Sequence, residues 1–232
     1  MPVESTGKAL VAEFVGTFAL IFIGGGSVVL ASAGQLDLVG VALAHGLVLA
    51  IMISIAGHIS GGHFNPAVST ALWVTGKLPS ARTVAYIAVQ MLAAVAGALL
   101  LRYVVVPTYS EEAFNAATPQ VLATVDVGRA IVIEAILTFF LVWAVFGTAV
   151  DDRGPFSKTA GLTIGLVIAF DILAFGPYTG AAMNPARWFG PALVSGLWDN
   201  WYVYIVGPLA GGVLAGLSYW YVFLRDREPA TP

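Results

Sequence analysis

The sequence predicts an all-α polytopic membrane protein with six spanning helices and two re-entrant half-helices, arranged as an inverted repeat. Three observations predict this fold class. Of 232 residues, 59% are hydrophobic and only 10% are charged, and the mean hydropathy is +0.89, whereas soluble domains carry about 25% charged residues. Six apolar stretches have the length of a membrane helix. The two halves of the chain also share matching residues, as in membrane proteins built from inverted repeats.

Six stretches fit a membrane-spanning helix, which needs roughly 20 apolar residues. They lie near 9–32, 39–58, 83–104, 129–150, 159–177 and 200–224. The first stretch lacks the cleavage pattern of a signal peptide, so we expect it to remain as the first helix.

Two further apolar segments are broken by residues that end helices. The segment 38–76 has no charged residue and is too long for one helix, and it is interrupted by Ser-Gly-Gly at 60–62 and by Pro66. The segment 179–198 is also apolar and is interrupted by Gly180 and Pro185. Glycine and proline are the strongest local helix breakers. We therefore predict that each segment enters the membrane as a half-helix and turns back.

The basic residues indicate the orientation, because Lys and Arg accumulate in short cytoplasmic loops. With both termini in the cytoplasm, the basic residues on that side are Lys8, Lys77, Arg82, Arg153, Lys158, Arg225 and Arg227. Only Arg102 and Arg129 would lie outside. We expect an integral multi-pass protein of the plasma (cytoplasmic) membrane with both termini cytoplasmic.

Matching residues recur in the two halves. The matched groups are Glu13-x-x-x-Thr17-Phe18 with Glu134-x-x-x-Thr138-Phe139, Asn65-Pro66-Ala67 with Asn184-Pro185-Ala186, and Tyr86-Ile87 with Tyr204-Ile205. Three spans reverse the chain direction, so the second half should lie inverted. We predict one domain over 1–232, with a first repeat at about 8–104, an external loop at 105–127 and an inverted second repeat at about 128–224.

Composition excludes several function classes. The formal net charge of -3 gives no basic footprint for nucleic acid. The chain has no cysteine, and its three histidines do not occur in an enzyme motif. His58 and His63 alone would make a poor zinc site, so we expect them to hydrogen-bond the loop backbone. We expect no enzyme, no cofactor and no metal.

The two re-entrant segments carry a family resemblance. Ser60-Gly-Gly-His-Phe-Asn-Pro-Ala-Val68 and Thr179-Gly-Ala-Ala-Met-Asn-Pro-Ala-Arg187 resemble the paired motifs of the aquaporin and glycerol-facilitator (major intrinsic protein) family. Glu13, Glu134 and Gly207-Pro208 also fit, and the resemblance covers nearly the whole chain. It implies a passive channel for water and small neutral solutes in a lipid bilayer, with a pore in each subunit of a homotetramer.

The Asn-Pro pairs have a physical role at the centre of such a channel. Asn caps a helix and Pro fits its first position. Two half-helices meeting at the midplane would point the positive ends of both dipoles at one spot, where cations meet a barrier. The motif residues are Asn65, Pro66, Ala67, Asn184, Pro185 and Ala186. We expect the asparagine amides to interrupt the file of waters and so exclude protons as well as ions.

Irregular backbone at this depth is tolerated only where it lines a cavity. We therefore expect backbone carbonyls to replace the hydrogen bonds that water loses on entry. The candidate carbonyls belong to Gly61, Gly62, His63, Phe64, Gly180, Ala181, Ala182 and Met183.

Arg187 is the basic residue that no loop explains. An intramembrane arginine costs at least about 2.5 kcal/mol and normally lies along a polar pathway. The resemblance implies that Arg187 belongs to a selectivity filter with His45, Ile172 and Ala181. This set is closer to plant tonoplast-type members than to strict water channels or glycerol facilitators. It implies passage of water with ammonia, urea or hydrogen peroxide, with glycerol as a further candidate.

Other residues leave alternatives open. Glu13 and Glu134 are either proton carriers or, as the resemblance implies, braces for the re-entrant loops, and their symmetry favours braces. Asp171 has no repeat partner, and its carboxyl could reach His45, a neighbouring helix or a subunit interface. Trp188 is typical of neither water channels nor glycerol facilitators.

Two rival functions and one gating hypothesis also remain. Inverted repeats and intramembrane acids also suit a proton-coupled secondary transporter, although no paired lumenal carboxylates support it. A structural protein of membrane junctions would need a flat adhesive surface, which the short loops do not suggest. The loop 151–158 is either a cytoplasmic gate or a charged turn.

Overall fold

The computed structural model describes residues 5–154 and 157–227, and every regular element within those ranges is helical. In chain order the helices are α1 (Thr6–Ser32), α2 (Leu38–Ser60), α3 (Pro66–Val74), α4 (Ser80–Val105), α5 (Glu111–Asn115), α6 (Val127–Val150), α7 (Ala160–Thr179), α8 (Pro185–Ser195) and α9 (Val203–Leu224). Six of them have the length and hydropathy of a membrane span. The predicted fold class is confirmed.

The observed helix bounds differ from the predicted ones only at the ends. The first span begins at Thr6, and the last begins at Val203 because the preceding residues form turns. The predicted domain of 1–232 also includes residues 1–4, 155, 156 and 228–232, which lie outside the described residues. The loop predicted at 105–127 contains the short helix α5, which Ser110 caps through its hydroxyl.

The two re-entrant segments begin where glycines end the helices before them. Gly61 ends α2 with φ 94°, and Gly180 ends α7 with φ 80°, a left-handed conformation that glycine adopts without steric cost. Asn65 and Asn184 then cap α3 and α8, accepting hydrogen bonds from the backbone N–H groups two residues on. The chain therefore turns back within the membrane at both sites.

The two repeats interlock through their half-helices. A Cβ added to Gly190 of α8 would lie 2.4 Å from the Ala94 carbonyl oxygen of α4. A Cβ on Gly212 of α9 would lie 3.2 Å from the Ala67 carbonyl oxygen of α3. Each half-helix thus packs on the last spanning helix of the other repeat. Small residues permit this approach, which matters because no hydrophobic effect drives helices together in lipid.

The close approach of α9 to α6 at Gly211 predicts that a larger residue there would destabilise the fold. A Cβ on Gly211 of α9 would lie 1.9 Å from the carbonyl oxygen of Ala135 in α6, and overpacking of this kind costs about 1–3 kcal/mol. We expect Gly211→Ala to lower the melting temperature of the purified protein in detergent, followed by tryptophan fluorescence. Gly7→Ala is the control, because a Cβ there would meet nothing within 4 Å. Equal melting temperatures for the two variants would contradict the packing argument.

The turn that follows α6 carries charged residues and contacts α9. Asp151 accepts hydrogen bonds from the Arg153 side chain, at 2.6 Å from Nε, and from the Tyr219 hydroxyl at 3.1 Å. The second carboxylate oxygen of Asp151 also contacts a terminal nitrogen of Arg153. These hydrogen bonds to Arg153 lower the pKa of Asp151 to about 2. The gate at 151–158 stays a hypothesis, since residues 155 and 156 lie outside the described part of the chain.

The low pKa of Asp151 predicts how this turn responds to pH. Because the folded pKa lies below the ordinary value of 3.8, the stabilisation is present above that value and is lost as the pH falls towards 2. We expect Asp151→Asn to lower the melting temperature at pH 7, and the difference from wild type to shrink below pH 4. Asp199→Asn, at an exposed position, should have no effect. A difference that is independent of pH would rule out the charged interaction.

Candidate functional site

Two cavities meet inside the helix bundle. The outer cavity has a volume of about 680 Å³ and is lined in part by the external loop, including Glu112 and Gln120. The inner cavity has a volume of about 30 Å³ and extends past the Asn65 and Asn184 side chains. The residues that line both cavities are His45, Ile172 and Arg187. These three side chains therefore form the wall between a wide outer vestibule and a narrow inner passage.

A buried arginine and a buried histidine are joined at this wall. The Arg187 Nε donates a hydrogen bond to the His45 Nε2 at 3.3 Å. The other ring nitrogen, Nδ1, lies 2.9 Å from the carbonyl oxygen of Val41. A carbonyl can only accept, so we assign the proton to Nδ1, which leaves Nε2 as the acceptor for Arg187. Both side chains are thereby held in place.

The other two predicted filter residues are apolar. Ile172 is buried and lines both cavities, whereas Ala181 lines only the inner one. Its neighbour Gly180 lines the outer cavity. The four predicted residues thus come together where the cavities meet, with a polar pair and two apolar side chains.

The idea that Asp171 contacts His45 is wrong. Both nitrogens of that ring have other partners. Asp171 is only 1% exposed, and its Oδ2 has no hydrogen-bond partner among the described residues. Its carboxyl is therefore a buried acid beside Ile172 that does not bind the filter histidine.

The two re-entrant loops are joined by a symmetrical pair of hydrogen bonds. Asn65 Nδ2 donates to the Met183 carbonyl at 2.9 Å, and Asn184 Nδ2 donates to the Phe64 carbonyl at 2.9 Å. In each asparagine the Oδ1 caps its own half-helix. Because an amide nitrogen has two N–H groups, each asparagine keeps one further donor, and both side chains line the inner cavity.

Two buried glutamates hold the loop backbones. Glu13 accepts from the backbone N–H groups of His63 and Phe64, at 2.9 and 2.7 Å, and from the hydroxyl of Ser60 at 2.7 Å. The side chain of Gln90 donates a fourth bond at 2.8 Å. These bonds satisfy loop donors that would otherwise be unpaired at membrane depth.

Glu134 repeats the arrangement in the second half. It accepts from the backbone N–H groups of Ala182 and Met183, at 2.9 and 2.7 Å, and from the hydroxyl of Thr179 at 2.7 Å. Both glutamates are completely buried. Their carboxylates are therefore fully engaged with loop donors, which is the contact set that a brace requires.

The loop backbones are strained at matching positions. Phe64 and Met183 have φ values of 49° and 52°, and Ala181 has a φ of 42° where the first repeat has Gly62 at 63°. The left-handed conformation costs about 1–2 kcal/mol for a residue with a Cβ. Of the eight predicted pore carbonyls, six belong to residues that line the inner cavity: Gly62, His63, Phe64, Ala181, Ala182 and Met183. Gly61 does not belong to the lining of either cavity.

Comparison with known proteins identifies the family to which this chain belongs. The model of the major intrinsic protein family matches residues 3–219. Aquaporin TIP4-4 of Zea mays is 43% identical over 233 residues, covering 96% of this chain and 90% of that protein. Aquaporin-4 of Mus musculus is 40% identical over 225 residues, covering 95% and 69%. The chain belongs to the major intrinsic protein family.

A solved structure supports the same assignment. The X-ray structure of the aquaglyceroporin from Plasmodium falciparum superposes with a TM-score of 0.87 at 26% identity, covering 96% of this chain and 98% of that one. As a major intrinsic protein, the chain is an integral membrane channel for water and small solutes and is not an enzyme.

Sequence reasoning missed most of the apolar pore wall of this family member. The inner cavity is also lined by Leu20, Leu49, Ile53, Val68, Leu141, Val145, Ile164 and Ile168. One signal was available, because Ile164, Ile168 and Ile172 recur at helical spacing along α7. In a helix that is apolar on every side, however, that spacing does not distinguish the lumen from lipid.

The ring of His63 contacts other side chains near the first re-entrant loop. His63 lies with its Nδ1 3.0 Å from the Ser69 hydroxyl and packs edge-on against Tyr86, rather than bonding the loop backbone through its ring. No group of three or more His, Cys, Asp or Glu residues within the described ranges could hold a metal ion. His63 therefore has a packing role at the inner cavity, which it lines.

The contacts of Glu134 predict what its loss would do. In Glu134→Gln one carboxylate oxygen becomes an amide donor that faces a backbone N–H. A buried donor left without an acceptor costs about 1–3 kcal/mol, so we expect a lower melting temperature in detergent and a loss of water permeability. Asp199→Asn, at an exposed position outside both cavity linings, is the control. If Glu134→Gln kept its melting temperature and lost only proton-driven transport, the relay interpretation would replace the brace.

Proposed function

We propose that the protein conducts water together with ammonia, urea and hydrogen peroxide, with glycerol as a slower candidate, and that it excludes protons and ions. The observation that carries this proposal is the place where the two cavities meet, where His45 and Arg187 are hydrogen-bonded and Ile172 and Ala181 also line the wall. A polar pair on an apolar wall orients a small neutral solute without binding it tightly.

The size of the passage favours small solutes. A single water needs roughly 10–15 Å³ of cavity volume, so the inner cavity of about 30 Å³ admits only a few waters at once. Water, ammonia and hydrogen peroxide suit this small volume best. Urea and glycerol are larger and depend on the space left by Ile172 and Ala181.

Exclusion of charge has two sources in this proposal. The positive ends of α3 and α8 converge near Asn65 and Asn184, and Arg187 adds a full positive charge at the constriction. Each asparagine has one N–H bonded to the opposite loop and a second available to a water oxygen. A water held in that way donates away from the centre on both sides, which interrupts proton transfer along the file.

We also propose a homotetramer with both termini in the cytoplasm, in the plasma membrane. The α2 helix exposes Val39, Leu43, Leu47, Ile51 and Ile55. The α7 helix exposes Leu162, Leu166 and Phe170. These apolar faces suit burial against neighbouring subunits or lipid. The basic residues assigned to the cytoplasmic side support the orientation.

The test is stopped-flow light scattering on proteoliposomes of the wild type and of His45→Phe. We expect wild-type water flux with a low activation energy, and urea and ammonia flux above empty liposomes. Phenylalanine removes the acceptor for Arg187 and adds bulk, so His45→Phe should lower urea flux severalfold more than water flux. Leu92→Phe, at an exposed position of α4 outside those faces, is the control and should leave both fluxes unchanged.

Other outcomes would contradict the proposal. A variant in which water and urea fell equally would remove His45 from the filter. Solute uptake that required a proton gradient would favour the proton-coupled transporter. Vesicle clustering without flux would favour a junction protein.

A further inference from the structure

Repeat-related tyrosines hold the last carbonyl of the helix before each re-entrant loop. The Tyr86 hydroxyl donates to the Ser60 carbonyl at 2.8 Å, and the Tyr204 hydroxyl donates to the Thr179 carbonyl at 3.0 Å. Both tyrosines are completely buried. The final carbonyls of a helix have no partner within it, so each phenol satisfies a group that would otherwise be unpaired within the bilayer.

Thr179 is a junction between Tyr204 and the filter. Its hydroxyl donates to Glu134 at 2.7 Å and accepts from the backbone N–H of Ala181 at 3.2 Å. Its carbonyl accepts from Tyr204. The position of Ala181, which is strained at φ 42°, therefore depends on a residue that is fixed from both sides. A strained conformation persists only where its surroundings over-determine it.

Tyr204 also reaches the other side of the filter. Its ring stacks on Trp188, with centroids 5.5 Å apart and an interplanar angle of 9°. Trp188 directly follows Arg187 in α8, is 2% exposed and packs edge-on against Trp198. One tyrosine is thus linked to Ala181 through Thr179 and to Arg187 through Trp188.

The first repeat lacks this second link. Tyr86 packs edge-on against His63, and the first re-entrant loop contributes none of the four filter residues. The two tyrosines therefore make the same hydrogen bond, but only Tyr204 connects two parts of the filter.

We propose that Tyr204, held by its stack on Trp188, is a positioning residue that sets the spacing between Ala181 and Arg187 and thereby the solute selectivity of the channel. The inference rests on the proposed function, because selectivity has meaning only if solutes pass through the filter. It also gives a role to Trp188, which the sequence left unassigned.

The test compares Tyr204→Phe with Tyr86→Phe, since each removes one hydroxyl from a matching position. Tyr103→Phe, at a position 78% exposed, controls for the substitution itself. The measured quantity is the ratio of urea to water permeability in proteoliposomes. We expect Tyr204→Phe to raise this ratio about threefold, a size that corresponds to one lost hydrogen bond, and Tyr86→Phe to leave the ratio at the wild-type value.

A second measurement does not depend on transport. Amide hydrogen exchange in detergent should become faster at 180–187 in Tyr204→Phe and at 61–65 in Tyr86→Phe. Trp188→Leu, which removes the stacked ring but keeps the phenol, should reproduce the Tyr204→Phe ratio. A merely structural role would lower both permeabilities together without changing the ratio.

Specific outcomes would overturn the inference. One is an unchanged ratio in Tyr204→Phe, and another is an equal change of the ratio in Tyr86→Phe. If wild-type liposomes showed no flux above empty liposomes, the proposed function would fail instead. The exchange data would then decide the positioning role alone, and unchanged exchange at 180–187 would overturn it.

Discussion

The structure depends on one constraint, which is that every backbone polar group at membrane depth must find a partner. The six spanning helices avoid the problem because their backbone groups are paired within each helix, but a pore needs backbone that faces water. Residues of the two re-entrant loops line the inner cavity, and their backbone N–H groups need acceptors within the protein. Glu13 and Glu134 accept those donors. Burying a carboxylate costs free energy. The several hydrogen bonds that each glutamate accepts offset that cost.

In the inverted repeat, each half of the chain also stabilises the re-entrant segment of the other half. Each half-helix packs on the last spanning helix of the other repeat, and each loop asparagine bonds a carbonyl of the opposite loop. Neither loop is therefore complete without the other half of the chain. The repeats differ at the predicted filter, because the second re-entrant segment supplies Ala181 and Arg187, whereas the first has Gly62 where the second has Ala181, both in the left-handed conformation.

The fold could be predicted from the sequence because membrane physics leaves few options. Long stretches without charged residues predict the spanning helices. The glycines and prolines at 60–66 and 180–185 predict where the re-entrant segments interrupt a helix. The Asn-Pro-Ala motifs could be named because they recur in the two halves, whereas the predicted filter residues were implied by the family resemblance. The apolar pore wall could not be predicted, since Ile164 and Ile168 look like lipid-facing residues in a helix without a polar face.

Asp171 and Trp188 show where reasoning from sequence stops. Both lie beside filter residues in the chain, but adjacent residues on a helix point in different directions, about 100° apart around its axis. Asp171 therefore does not bond His45, and its Oδ2 is buried without a partner. Trp188 turns away from the lumen and stacks on Tyr204. Neighbouring positions in the sequence therefore do not show which residues a side chain contacts, and only the three-dimensional structure reveals the partner of Trp188 and the lack of one for Asp171 Oδ2.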